Sequence, residues 1–271
     1  MKTIYLVDSK EWYETGEQAQ AYLNLMNQSY ASGIVKAEDE LLRKNLEQIC
    51  DTLHEKICYI DLGPGDGKKT RFLCDAFHKA GKLSAYVAVD IQPEFLKIAE
   101  EIRKKFRIDT RALKMSFESF LDSEGILDST PKFIYLGATY GNFLEGDIEP
   151  RLCRFMGEDD RVYLSSGLWP RNPEELAQIY APSVEIFRPL IKKYGLKEGG
   201  KMKVRFNYYR KTPSIEQGYE VDDTFYVFGI SRKPRAKDFK KQMLKYFEGD
   251  IFEEKTHKTH IGFLGQVKFF S

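Results

Sequence analysis

The alternation of apolar and polar positions divides the chain into three parts. In residues 57–166, short apolar runs at 57–62, 84–90, 109–114, 132–137 and 160–166 alternate with amphipathic stretches at 68–80, 93–106 and about 147–156. Runs of that length, rich in Val, Ile and Tyr, read as buried strands. Strands separated by helix-length patterns imply crossover connections and a parallel sheet. The stretch 68–80 places Phe72, Leu73, Ala76 and Phe77 on one helical face. Residues 1–56 read as a helical preamble, with helix-prone segments at Glu17–Met26 and Ala37–Leu53 and a break at Asn27–Gly33 that carries Tyr30. In the second segment Leu41, Leu42, Leu46 and Ile49 share a face. Residues 173–195 predict a long helix that Pro182 and Pro189 kink or interrupt. Beyond it, 202–210 and 219–230 are aromatic and β-branched and read as extended, 235–247 reads as a basic helix, and 251–257 and 261–270 as strands that close the sheet. The pattern predicts an α/β chain built on a doubly wound, mostly parallel sheet: a helical N-terminal cap (1–56), a core (57–200), and a strand-rich substrate region that also completes the sheet (201–271).

One stretch tells what such a sheet binds. Ile57–Leu62 ends in an acid, Asp61, and runs into a turn with Gly63, Gly65 and Gly67 before the next helix. Glycines turn the backbone sharply and let a ligand approach it, and the helix N-terminus beyond offers unpaired N–H groups. A dinucleotide fingerprint requires a third small residue where Lys68 stands, so the spacing is G-x-G-x-G instead. The second strand ends in Asp90, followed by Ile91, where an acid meets ribose hydroxyls. That acid suits either kind of cofactor, and a glycine turn alone is also compatible with a plain βα loop. Asp61, Asp90, Ser116 and Gly137 all fall at predicted strand ends and therefore converge on one crevice.

Composition narrows the picture further. At 271 residues and 42% hydrophobic, the chain can bury a sizeable core as one large domain. A net charge of +1 gives no global pull toward nucleic acid or membrane. No run reaches transmembrane length and no apolar leader is evident, so the expectation is a cytoplasmic protein. Cys50, Cys58, Cys74 and Cys153 form no C-x-x-C pair and read as free thiols. His257 and His260 lie three apart on a predicted strand, facing opposite sides, which argues against a metal site. The basic run Arg232, Lys233, Arg235, Lys237, Lys240 and Lys241 could touch phosphates or simply be a solvated face.

The turn LGPGDGKKT, with Asp61 ahead of it, resembles the first motif of class I S-adenosylmethionine-dependent methyltransferases, which have a Rossmann-like fold. The segment Phe133–Phe143, FIYLGATYGNF, resembles the L-G-S-[ST]-[IL]-G-N-[FL] signature of the histidine-specific N-alpha-methyltransferases of ergothioneine synthesis, and the Lys-Thr pair after the glycines matches that family's turn. The resemblance runs in order through about residues 57–195. It implies S-adenosylmethionine as cofactor, with Asp61, Gly63, Gly65, Gly67, Lys69, Asp90, Ile91, Ser116, Phe117 and Gly137 around it. Lys69 would meet the cofactor carboxylate, and Phe117 would stack on the adenine, with Ser116 standing where the family has an acid. For the acceptor, the resemblance maps substrate-binding residues onto Asn142, Tyr180 and Ser231, the first two also aligning the reacting amine. Three family features are missing. Ala181 and Pro182 replace an Asp-Asp pair, Gly229 stands where the imidazole-reading glutamate belongs, and the preamble lacks the family's Y-D-x-x-G-S-x-L-F stretch.

Methyl transfer from a sulfonium needs alignment, dehydration and a neutral nucleophile. An α-amine titrates near about pH 8, so a neutral fraction exists without a strong base. Tyr140, beside the predicted crevice, is a candidate for substrate-side cation–π contact with the sulfonium and the growing ammonium; the alternative is a loop tyrosine packed on the helix. Residues 201–231, with Arg205, Asn207, Tyr208, Tyr209, Arg210, Asp222, Asp223 and Tyr226, are candidates for a pocket wall or for a hairpin with one wet face. The expected partner is a small amine or amino acid. An RNA or protein methyltransferase, and a non-catalytic cofactor-binding scaffold, are the alternatives.

Overall fold

The computed structural model describes residues 2–28, 34–123, 129–170, 172–207, 212–254 and 259–268. The predicted alternation is present as β2 (Ile57–Leu62), α4 (Lys68–Lys79), β3 (Leu83–Asp90), α5 (Pro93–Leu96), α6 (Ile98–Phe106), β4 (Asp109–Lys114), α7 (Phe117–Leu121), β5 (Lys132–Leu136), α8 (Glu149–Phe155) and β6 (Arg161–Gly167). With β10 (Phe247–Glu253) and β11 (His260–Val267) these strands form a seven-stranded sheet in the order β10-β11-β6-β5-β2-β3-β4. The strands from β6 to β4 run parallel, and β11 is antiparallel to β6 and to β10. The order reverses between β2 and β5, so the tips of those strands open a crevice.

Alternation along each strand builds two cores. Ile60, Leu62, Val87, Val89, Ile134 and Leu136 face one side and pack with Phe120, Leu152, Phe239 and Met243. Tyr59, Tyr86, Phe133 and Tyr135 face the other and pack with Leu73, Phe77, Leu41 and Leu42. The latter two lie on α2 (Lys36–Lys44), which with α1 (Gly16–Leu25) and α3 (Leu46–Asp51) makes up the helical part of the preamble.

The preamble is not wholly helical. Lys2–Tyr5 form β1, which pairs in parallel with β9 (Thr224–Arg232) in a second sheet of order β1-β9-β8-β7, with β7 Lys201–Asn207 and β8 Ser214–Val221. Thr3, Ile4 and Tyr5 suit extended backbone, but four residues are too few to decide their own state, and pairing with a distant edge does so. The single extended run expected at 219–230 is two strands. Asp222 (φ 47°) and Asp223 (φ 57°) form a tight turn between them, since aspartate tolerates the left-handed region that hairpins need. The long helix expected at 173–195 is broken into α9 (Pro173–Tyr180), a 3-10 segment Ala181–Phe187, and α10 (Arg188–Lys193), with Pro182 and Pro189 at the junctions. Tyr30, His257 and Tyr208–Arg210 lie outside the described residues.

Candidate active site

Two adjoining cavities open at the tips of β2, β3 and β5 and share Trp12, Tyr13, Tyr22, Gly63, Thr139 and Asn142. The outer cavity is lined by Gly65, Asp90, Ile91, Phe95, Ser116, Phe117 and Phe143. The inner one is lined by Glu38, Asp61, Lys69, Gly137, Tyr180, Gln217 and Ser231 among others. Asp61, Asp90, Ser116 and Gly137 do converge, and they do so across both chambers.

The glycine turn holds its shape by left-handed backbone at Gly63 (φ 86°) and Gly65 (φ 56°). A Cβ on Gly65 would stand 2.8 Å from the Tyr22 hydroxyl, and one on Gly63 3.2 Å from the Phe117 ring, so the backbone itself forms the cavity wall. Gly67 serves a different purpose. It starts α4 and packs against Ile98, outside both linings.

The two strand-end acids differ. The Asp61 side chain, near the end of β2, is buried, and its Oδ2 accepts hydrogen bonds from Thr70 Oγ1 (2.5 Å) and Tyr86 OH (3.4 Å), so that oxygen is engaged inside the protein. Burial raises its pKa to about 6, against the pull of those donors. Asp90 accepts one bond from the backbone N–H of Gln92 (2.8 Å) and lines the outer cavity, and burial raises its pKa to about 7. A carboxylate with an acceptor oxygen left over at a strand tip is suited to vicinal hydroxyls.

Glu38 was not anticipated. It sits on α2, is 1% exposed, and faces the inner cavity. One carboxylate oxygen accepts hydrogen bonds from Tyr135 OH (3.1 Å), the backbone N–H of Ala138 (2.7 Å) and Ser165 Oγ (2.5 Å). The other pairs with Lys69 Nζ at 3.0 Å. Burial alone pushes the Glu38 carboxyl up, but Lys69, Ser165 and their neighbours outweigh it and the net shift is downward. Burial likewise presses on Lys69, and Glu38 outweighs that too, so its pKa is raised. In the absence of a signal tying residue 38 to residues 69 and 165, no sequence pattern exposes such a contact.

The preamble also roofs the site. Gln92 Nε2 donates to the carbonyls of Tyr13 (2.9 Å) and Thr15 (3.1 Å), and Trp12 Nε1 donates to the Phe228 carbonyl (2.9 Å). Tyr13, Tyr22 and Phe95 meet edge to face at 5.3–5.7 Å between centroids, and Trp12 meets Phe187 at 5.5 Å.

Asn142, Tyr180 and Ser231 all line the inner cavity, and Tyr180 OH lies 3.4 Å from Ser231 Oγ. Tyr140 is placed elsewhere. It is 1% exposed, donates to Glu149 Oε1 (2.5 Å), and packs beneath Arg232 and against Phe239, so its ring belongs to the core. Within 201–231, Arg205 pairs with Glu216, Asn207 donates to Glu216, and Asp222 and Asp223 make the turn. Among the described residues of that region, Gln217 and Ser231 line the inner cavity. Arg232 and Lys233 of the basic run are buried, and Arg235, Lys237, Lys240 and Lys241 remain on the surface. Among the described residues there is no His, Cys, Asp and Glu cluster that could hold a metal, and no helix is long and apolar enough to cross a membrane.

The model of the family described as histidine-specific methyltransferase, SAM-dependent, matches residues 28–184. The chain belongs to this family. The match takes in α2, the glycine turn, Asp90, Phe117 and Asn142, and ends just past Tyr180. A curated relative, histidine N-alpha-methyltransferase of Mycobacterium tuberculosis (strain CDC 1551 / Oshkosh), is 29% identical over 113 residues, 41% of this chain. That alignment spans about a third of the relative, 35% of its length. Among solved structures, an S-adenosylmethionine-dependent methyltransferase from Clostridium acetobutylicum ATCC 824 superposes with a TM-score of 0.54 at 12% identity, covering 92% of this chain and 99% of that one. A putative methyltransferase from Thermobifida fusca YX gives 0.54 at 12% identity, with 93% and 94% covered. At such identities the likeness is one of fold, and the fold is the Rossmann-like one of class I methyltransferases. The family's cofactor is S-adenosylmethionine, and the residues present fit it: a backbone wall with no room for side chains at Gly63 and Gly65, an acid with spare acceptor capacity at Asp90, and an aromatic ring at Phe117.

Proposed function

We propose that this chain transfers a methyl group from S-adenosylmethionine to the amine of a small, amino-acid-like acceptor. The observation that carries the proposal is the continuity of the two cavities through Gly63, Thr139 and Asn142. A cofactor in the outer chamber then points its reactive end into the inner chamber, which is lined by hydrogen-bonding side chains. Asp90 accepts the ribose hydroxyls, Phe117 packs on the adenine with Ser116 at its edge, and Gly63 and Gly65 admit the cofactor backbone. Lys69, held by Glu38, faces the cofactor carboxylate in a charge-assisted contact.

Bound there, the cofactor supplies an electrophilic methyl group. The chain's own residues supply position and environment. Asn142 and Tyr180 orient the acceptor, and the roof of Trp12, Tyr13 and Tyr22 excludes water. These rings and Phe187 present π faces to a cationic centre, worth about 0.5–2 kcal/mol per contact. Tyr140, being in the core, takes no part.

The test is calorimetric binding of S-adenosylmethionine and S-adenosylhomocysteine to wild type and Asp90→Ala, followed by mass-spectrometric detection of methylated products over a panel of amino acids and amines. Binding lost in the variant and a methylated amine in the panel support the proposal. Cofactor binding with no methylated amine, or equal binding by the variant, sinks it.

A further inference from the structure

The far corner of the inner cavity has a built-in polarity. Tyr180, Ser231 and Gln217 line the inner chamber but not the outer one, whereas Asn142 lines both, so this corner is set back from the outer chamber. Behind it is Lys233, only 3% exposed, lying along the bare face of Gly167 at the end of β6. Its Nζ donates to Ser231 Oγ at 2.8 Å and stands 5.0 Å from the centre of the Tyr180 ring. Among the described residues it forms no salt bridge, in contrast to Lys69, which has Glu38.

Lysine has donors only. Ser231 must therefore accept from Lys233, and its own proton is the one left to give. The corner is a donor backed by a buried cation. Beside it the Gln217 amide donates through Nε2 to Ser183 Oγ, and two residues back on β9 a side chain on Gly229 would begin 2.5 Å from the Phe187 ring, so a carboxylate there would have to displace that ring.

We propose that the Tyr180–Ser231 corner takes a carboxylate on the remote end of the acceptor, and that Lys233 is the residue that sets this specificity. This rests on the reading of the inner cavity as the acceptor site.

The test is calorimetric binding to the S-adenosylhomocysteine-loaded protein. The probes are glutamate and aspartate, their amides glutamine and asparagine, the amine-free succinate and glutarate, and histidine. Wild type is expected to bind at least one acidic amino acid about tenfold tighter than its amide, the scale of one charge-assisted hydrogen bond. Lys233→Met and Ser231→Ala should each abolish that preference while S-adenosylhomocysteine still binds. If only succinate or glutarate bind, and Lys233→Met removes that binding, the carboxylate corner stands and the amine reading falls. Equal binding of acids and amides, preference for histidine, a preference untouched by either variant, or no binding of any probe would overturn the proposal.

Discussion

Removing the Glu38 carboxylate is the perturbation whose cost the structure defines best. Glu38→Ala leaves the Tyr135 hydroxyl, the Ala138 N–H and the Ser165 hydroxyl without their acceptor, and leaves Lys69 without its counter-ion. Breaking a buried pair by deleting one partner costs about 3–5 kcal/mol. The Lys69 side chain is 23% exposed and can turn toward water, which favours the lower end, about 3 kcal/mol. A domain is stable by only about 5–15 kcal/mol, so the loss is a large share of the total. It corresponds to a drop of roughly 6–12 °C in Tm for a chain of this size. The assay is urea unfolding of wild type and variant, repeated as a function of pH. Because the Glu38 pKa is lowered on folding, its stabilisation is present above the unfolded value near 4.5 and is lost as pH falls through the folded one. The gap between wild type and variant should therefore be full at neutral pH and close in acid below pH ~4.5. A difference under about 1 kcal/mol at pH 7, the range of an exposed pair, would refute the view that this carboxylate clamps α2 to the strand tips.

Asp90, raised to about 7 by burial, is protonated in the cofactor-free fold over a range where the unfolded chain is ionised, so its contribution to stability falls as pH rises from ~4 through about 7. If ribose binding requires the carboxylate, the rise in Tm on adding S-adenosylhomocysteine should be larger at pH 8 than at pH 6, and calorimetry in buffers of different ionisation enthalpy should show proton release near neutrality. An uptake of protons would contradict this. Tyr140→Phe should lower stability by about 1–3 kcal/mol in denaturant titration, by removing one donor to the buried Glu149 carboxylate, which keeps those of Gln242 and Gly146, and leave cofactor affinity unchanged. Gly229→Glu should destabilise by about 1–3 kcal/mol through overpacking on Phe187, and Phe187→Ala in the same chain should recover part of it, which a double-mutant cycle measures.

The local features of the sequence decided a great deal. Hydrophobic periods 57–166 placed the strands and helices of the parallel sheet, because a buried strand and an amphipathic helix each impose their own spacing on apolar residues. The glycine turn and the acids at the strand ends marked the crevice, since the chemistry sits next to the element that carries it. Asn142, Tyr180 and Ser231 could be named from motif resemblance, and all three line one chamber. What the sequence left open depends on contacts between residues far apart in the chain. β1 is a strand only because β9 offers it an edge, and Asp222–Asp223 turns one apparent strand into two. Tyr140 goes to the core because Glu149 and Arg232 are there to receive it. Glu38, Trp12 and Tyr13 reach the site by packing across it from a segment with no motif, and Lys233, read as one charge in a surface run, is folded inward behind Ser231. Burial, ion pairing and the polarity of a pocket corner are sums over neighbours in space, and those neighbours are fixed only when the chain has folded.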